Sequence, residues 1–189
     1  MSIIQTTEPG EATGDVAEIY ADDERTIGYV PEHTRVMAVN PEAYRAWEQL
    51  IRAIASPLGL RRYELVTLAA AQGGHSAHCR LAHGNRMRTL IDEEQLEAIA
   101  RDYRHADLSA AEVAMMEYAE RISTDAPDMT EADAQRLREV GFTDREIVDI
   151  TLAAAARNYF SRAIQALGVA VDVPPGLSDR LRAALLAPL

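Results

Sequence analysis

Helix start signals recur along this chain at short intervals, and they constrain its fold more than any other feature of the sequence. In a capping box, a side-chain oxygen caps the first turn of a helix and the residue three positions later reaches back. No segment shows the alternation of apolar and polar residues that is typical of a half-buried strand. The sequence therefore predicts an all-α fold. The predicted capping pairs are Asp92 with Gln95, Ser109 with Glu112, Thr130 with Asp133, and Thr143 with Glu146.

Apolar residues at helical spacing, interrupted by glycine and proline, predict the other helices. The first ends at Gly28, and the second begins at Asn40 and Pro41, which suit an N-cap and a first helical position. The second is expected to stop at the breaker run 56–59. Further helices are predicted from about Leu60 to Gln72, from near Ser76 to about Leu90, from Thr143 to about Leu167, and after Ser178.

One pattern occurs twice along the chain. Gly59 precedes Glu64 by the same interval at which Gly141 precedes Glu146, and both glutamates open an apolar run. The same offset aligns Cys79 with Ser161. The pattern has two interpretations, a duplicated helical unit or two unrelated helices that begin alike.

Composition restricts the partners of the chain. Nineteen basic residues against 30 acidic ones give a net charge of −11, which disfavours nucleic acid and anionic membranes. Every basic residue is arginine, so a lysine Schiff base is excluded.

No apolar run reaches membrane-spanning length, and the first ten residues do not resemble a secretion signal. With one cysteine and no internal disulfide, we expect a cytoplasmic protein.

The strongest chemical signal is the single thiol, Cys79, which lies among three histidines. If a helix begins near Ser76, Cys79 lies in its first turn, where unpaired backbone N–H groups favour a thiolate. His83 follows four residues later on the same face. Glu64 lies on the preceding helix, and Gly73-Gly74 allows the two helices to form a hairpin. The pattern favours an activated nucleophile with a carboxylate–imidazole pair beside it.

Each of these residues also has a purely structural interpretation. A lone cysteine is usually an inert, buried, small apolar residue. Glu64 alone suits the first turn of a helix, and His83 alone suits a satisfied, partly buried position. A metal site at His75, Cys79 and His83 is a further alternative, but His75 precedes the predicted helix. We therefore predict no metal and no cofactor.

Arginines near this segment are candidates for attracting an anionic substrate, although solvated faces and ion pairs are their commoner use. Five of them surround the thiol in the sequence: Arg61, Arg62, Arg80, Arg86 and Arg88. In the predicted long helix near the C-terminus, Arg162 adjoins Ser161 and is the candidate that we single out.

The thiol segment resembles the alkylhydroperoxidase D-like (AhpD-like), or carboxymuconolactone decarboxylase, family in its peroxidase-related branch. That family has a Glu, eleven residues, and then Cys-x-x-Cys-x-x-x-His, often with His before the second Cys. Glu64, His78, Cys79 and His83 match this signature, and Ser76 replaces the first cysteine. The likeness covers about residues 13–171. It implies one all-α domain over residues 1–189 with a duplicated helical core, followed by a C-terminal extension, 172–189, with a short helix.

The resemblance also implies hydroperoxide reduction and a homotrimer or homohexamer. Cys79 would be the attacking thiol, Glu64 and His83 the proton relay, and His78 an accessory group. Because Ser76 can only hydrogen-bond to the sulfur, no internal disulfide can resolve the oxidised thiol. An external thiol must then reduce Cys79 from the sulfenic acid.

Two other functions remain open. The chain could be a non-redox enzyme of the decarboxylase type, in which Glu64 and His83 perform acid–base chemistry on a small lactone or organic acid. Cys79 would then only line the pocket. Alternatively, the chain could be a helical oligomer that binds a ligand in an apolar cavity and catalyses nothing.

Overall fold

The computed structural model describes residues 2–187, and those residues form helices without a β-strand. This confirms the all-α prediction. Three single 3₁₀ turns, at Pro9–Glu11, Tyr103–His105 and Ala126–Asp128, accompany the α-helices. The α-helices of the described residues are α1 (Gly14–Ile27), α2 (Glu32–Met37), α3 (Pro41–Leu58), α4 (Leu60–Gly73), α5 (Ala77–Met87), α6 (Glu93–Asp102), α7 (Ala110–Asp125), α8 (Glu131–Glu139), α9 (Asp144–Ala166) and α10 (Asp179–Leu186).

The predicted caps set most of these boundaries. Ser109, Thr130 and Thr143 each open a helix with a reciprocal capping box. Asp92 forms only half of one, since it accepts from the backbone of Gln95 at 2.8 Å. The Gln95 side chain does not reach back but donates to the carbonyl of Asp107 at 3.0 Å.

Two boundaries differ from the sequence prediction. Helix α3 does not stop at Ser56 but continues through Pro57 to Leu58, and Gly59 with a φ of 76° ends it. The short helix α2 was not predicted, because its N-cap position is Pro31, which offers no capping side chain. Six residues are also too few to establish a helical period.

Helix α4 is the central element of the core. Every residue from Tyr63 to Gln72 is buried, and the helix contacts α3, α5, α7 and α9. Its last residue, Gly73, approaches the backbone of α7 so closely that a Cβ there would lie 2.8 Å from the carbonyl oxygen of Glu120. The functional side chains that follow are therefore carried on a rigid scaffold.

Helix α10 and the residue after it are fixed to this core by a buried cation. Arg80 on α5 donates to the backbone carbonyls of Ala100, Ala184 and Ala187 at 2.7–3.0 Å. Helix α10 thereby packs against α5 and α6. Within the described residues, no helix combines the length and the apolar character that a membrane span requires.

Candidate active site

A tight turn between α4 and α5 brings Glu64 and His83 together. The turn passes through Gly74 and His75, and His75 adopts a φ of 52°. The Nδ1 atom of His83 lies 2.6 Å from Oε2 of Glu64, and both side chains are buried. The pairing expected from the sequence is therefore present in the structure.

The ionisation of this pair follows from its burial. Burial lowers the pKa of His83 to about 4, against the opposing effect of the Glu64 carboxylate. Burial would raise the pKa of Glu64, but the His83 ring and the nearby guanidinium of Arg86 lower it overall. At neutral pH the pair is thus a carboxylate beside a neutral imidazole. The Nδ1–H group donates to Glu64, which leaves Nε2 as a proton acceptor.

Cys79 occupies the third position of α5 and is only 1% exposed. Its sulfur accepts hydrogen bonds from Oγ of Ser161 at 3.3 Å and from Nη1 of Arg157 at 3.6 Å, both on α9. Ser76 is the N-cap of α5, and its Oγ accepts from the backbone N–H of Cys79 at 3.4 Å. Ser76 therefore caps the N-terminus of α5. The hydrogen bond to the sulfur that the sequence predicted for Ser76 is made by Ser161 instead.

Arg157 is the buried cation of the site. It is 6% exposed, hydrogen-bonds to Cys79 and lies near Tyr63. Burial alone would lower the pKa of Arg157, but the neighbouring Cys79 and Tyr63 raise it. Its guanidinium also lies 5.5 Å from the ring centre of Phe160 and 5.9 Å from that of Trp47. The sulfur is thus held against a fixed, fully ionised positive charge.

His78 points to a different set of partners. Its Nε2 lies 2.7 Å from Nδ1 of His33 on α2, and the two rings meet edge to face. Asp172, in the segment between α9 and α10, lies close to both. Burial lowers the pKa of His78 and lowers that of His33 further still. The histidine before the cysteine therefore belongs to a second polar cluster.

A cavity of about 710 Å³ joins these groups. Its lining includes Glu64, Cys79 and His83 together with the His33–His78–Asp172 cluster. Aromatic side chains of Trp47, Tyr63 and Phe160 also line it, and Trp47 stacks on Phe160 with ring centres 5.1 Å apart. The buried thiol consequently adjoins a space that is large enough for a small organic molecule.

Some predicted contacts are missing from this site. His75 is exposed, so the trio His75, Cys79 and His83 does not assemble into a metal site. Among the described residues no hydrogen bond joins His83 to Cys79, although both line the cavity. Arg162 is exposed. Arg157, which precedes it on the same helix, hydrogen-bonds to the sulfur instead.

Sequence reasoning missed Arg157, His33 and Asp172. Arg157 precedes Ser161 by one helical turn, so the alignment of Ser161 with Cys79 was the available signal. His33 lies on the helix that was not predicted, and Asp172 lies outside the helices. No periodic signal could have found either residue.

Comparison with known proteins gives structural matches only. No family model matches the sequence, and no curated protein matches it. The alkylhydroperoxidase AhpD core of a peroxidase-related protein from Ralstonia eutropha JMP134 superposes with a TM-score of 0.82 at 22% identity, over 100% of this chain and 98% of that one. A peroxidase-related protein from Silicibacter sp. TM1040 gives 0.77 at 24% identity, over 90% and 95% of the two chains.

A third similar structure is that of an enzyme with a different activity. A cysteine-to-alanine variant of the debrominase Bmp8, in complex with 2,3,4-tribromopyrrole, superposes with a TM-score of 0.75 at 16% identity. The match covers 98% of each chain. These similarities extend over nearly the whole length of the chain and confirm the resemblance at the level of the fold: the chain has the all-α fold of the AhpD-like, peroxidase-related proteins.

Proposed function

We propose that this chain is a one-cysteine thiol oxidoreductase that reduces a small organic hydroperoxide at Cys79. The observation that carries the proposal is the environment of the sulfur. It accepts hydrogen bonds from the buried Arg157 and from Ser161 at the wall of a cavity of about 710 Å³. An inert core cysteine needs neither a buried cation nor a ligand-sized space beside it.

Three features of the structure favour the thiolate form of Cys79. The sulfur lies in the first turn of α5, where unpaired N–H groups carry partial positive charge. Arg157 supplies a full positive charge within hydrogen-bonding reach of sulfur, and Ser161 supplies a neutral donor. In a buried site these interactions are screened less than they are in water. Since the thiolate is the nucleophile, this arrangement activates Cys79.

Glu64 and His83 serve as the proton relay in this proposal. The Glu64 carboxylate fixes the tautomer of His83, so that Nε2 can accept a proton. His83 and Cys79 line one cavity without a direct hydrogen bond, so the proton travels through water or the substrate. His83 takes the thiol proton and later returns it to the leaving group.

The reaction balances with two external thiols. The Cys79 thiolate attacks the terminal oxygen of ROOH, the O–O bond breaks, and Cys79 becomes a sulfenic acid. The alkoxide leaves and takes its proton from His83, which yields ROH. One external thiol then displaces water to form a mixed disulfide, and a second releases Cys79 and a small disulfide. Ser76 has no sulfur with which to resolve the sulfenic acid internally.

The decisive experiment measures consumption of cumene hydroperoxide with dithiothreitol as the reductant. The wild-type chain should turn over, and Cys79→Ser should lose the activity down to the uncatalysed rate. His75→Ala alters an exposed histidine beside the site and should retain full activity. Trapping with dimedone should label the peroxide-treated wild type at Cys79. Equal slow rates for wild type and Cys79→Ser would contradict the proposal.

A second candidate is thiol-dependent reductive dehalogenation of a small haloaromatic compound. It is favoured by the likeness to the debrominase Bmp8 and by the Trp47–Phe160 stack beside the thiol, which suits an aromatic ring. In this reaction Cys79 removes the halogen as a sulfenyl halide, and a proton replaces it on the ring. Two external thiols then regenerate Cys79 and release halide. Bromide release from 2,3,4-tribromopyrrole, with no turnover of hydroperoxide, would select this candidate.

A further inference from the structure

Three potential metal ligands from distant parts of the chain meet at one wall of the cavity. They are His33 on α2, His78 on α5 and Asp172 between α9 and α10. One nitrogen of each imidazole and one carboxylate oxygen lie within 4.8 Å of one another. This set shares no residue with the Glu64–His83 pair.

The surrounding contacts fix the three side chains in place. The Oδ2 atom of Asp172 accepts from the backbone N–H of Glu32 at 2.7 Å, which anchors it at the residue before His33. The ring of His33 packs edge to face on Phe160 with 5.5 Å between ring centres. His78 is held by the 2.7 Å contact of its Nε2 with Nδ1 of His33.

The chemistry of the three side chains suits a cation. Each imidazole has a ring nitrogen that can donate a lone pair, and Asp172 has a carboxylate oxygen. Imidazole nitrogen and carboxylate oxygen are both ligands that zinc accepts. The cluster therefore offers two nitrogen ligands and one oxygen ligand.

We propose that His33, His78 and Asp172 bind a divalent first-row transition-metal ion, with Zn²⁺ as the representative case. Zinc accepts imidazole and carboxylate ligands at about 2.0–2.2 Å, and two such nitrogens on one tetrahedral ion lie about 3.4 Å apart. Nδ1 of His33 and Nε2 of His78, now 2.7 Å apart, must separate slightly, and the proton between them moves to the outer nitrogen of its ring. No net proton is gained or lost.

Three protein ligands leave at least one coordination position free, as in catalytic rather than structural zinc sites. The cluster and Cys79 line the same cavity, so that position faces the space in which a substrate would lie. The ion would hold a water molecule or an anionic group of a ligand in the cavity that the sulfur adjoins. Binding would also fasten α2 and the segment around Asp172 to α5.

The test titrates metal-free protein with Zn²⁺ by calorimetry and with Co²⁺ by absorption spectroscopy. One ion should bind per chain, and His33→Gln or His78→Gln should weaken binding by at least about 100-fold. Asp172→Asn should weaken it as well, with the fold verified by circular dichroism. His105→Gln is the matched control, since His105 forms a comparable 2.7 Å pair with Asp102 on the surface.

Cys79→Ser separates this proposal from the proposed thiol reaction. It should abolish peroxide reduction but leave Zn²⁺ affinity unchanged, because the ligand set contains no sulfur. A strong near-ultraviolet thiolate-to-cobalt band that disappears in Cys79→Ser would overturn the proposal. So would the absence of saturable binding in the wild type, or equal affinity in wild type, His33→Gln and His78→Gln.

Discussion

At the scale of single residues, the reactivity of Cys79 depends on one charge. Arg157 is buried, hydrogen-bonds to the sulfur at 3.6 Å and, among the residues that the structure describes, has no carboxylate as a hydrogen-bonding partner. A buried cation without a carboxylate is costly unless another group supplies negative charge. The thiolate of Cys79 is suited to that role, so the two groups stabilise each other.

The first prediction follows from this mutual dependence. Arg157→Met removes the charge and keeps an apolar side chain of moderate length, so Cys79 should lose nucleophilic reactivity. We expect the rate of alkylation by iodoacetamide at neutral pH to fall by about tenfold. Arg162→Met, on the exposed side of the same helix, should leave the rate unchanged. An unaltered rate in a folded Arg157→Met protein would refute the role assigned to Arg157.

The residues of the site also differ in whether their contacts could be predicted from the sequence. Glu64, Cys79 and His83 lie within 20 consecutive positions, so helical spacing and one turn were enough to place Glu64 beside His83. Arg157 lies 78 residues from the cysteine that it contacts. Only the packing of α9 against α4 and α5 decides which of its faces meets the sulfur. The sequence therefore suggested Arg162 on that helix, whereas the structure selects Arg157.

At the scale of elements, the helices were predictable to the extent that local chemistry defines them. Serine, threonine and aspartate caps predicted the starts of α5 to α10 to within about a residue, since capping is a contact between near neighbours. Helix α2 has no side-chain cap, and α3 continues through Pro57. In both cases tertiary packing determines the helix where local signals are weak or opposed.

The packing of α4 against α7 gives the second prediction. Gly73→Ala would place a Cβ 2.8 Å from the Glu120 carbonyl oxygen and 2.9 Å from Cβ of Ser123. Because a backbone atom cannot move aside as a side chain can, the two helices must shift, at a cost of about 1–3 kcal/mol in the free energy of unfolding. Urea denaturation would measure this. Gly10→Ala, where a Cβ meets nothing within 4 Å, should change stability little.

At the scale of the whole molecule, the candidate site is a property of tertiary structure. Its cavity is bounded by residues of α1, α2, α3, α4, α5 and α9 and by the segment around Asp172. The sequence predicted the thiol and its neighbours on α4 and α5, which one hairpin assembles. It could not predict the rest of the lining, because those residues are brought together by the packing of separate helices around a core.

The buried histidines make the stability of the whole molecule sensitive to acid. Burial lowers the pKa of His83 to about 4, whereas an unfolded histidine has a pKa of about 6.5. Between these values the unfolded chain binds a proton that the folded chain does not. The contribution of His83 is therefore fully present above about pH 6.5 and is lost as the pH falls towards about 4. His33 and His78, whose pKa values are also lowered, act in the same direction.

We accordingly expect the free energy of unfolding to decrease across this window, with His83 alone contributing about 3 kcal/mol of the change. His83→Asn keeps an N–H donor near the position of Nδ1 but cannot be protonated, so it should flatten the dependence on pH. His105→Asn, at a histidine that is exposed to solvent, should retain the wild-type dependence. Urea denaturation at several pH values in the window measures the slope rather than the absolute stability, so a general loss of stability in His83→Asn does not affect the comparison. Equal slopes in the wild type and His83→Asn would mean that folding does not lower the pKa of His83, which would contradict the effect of burial described above.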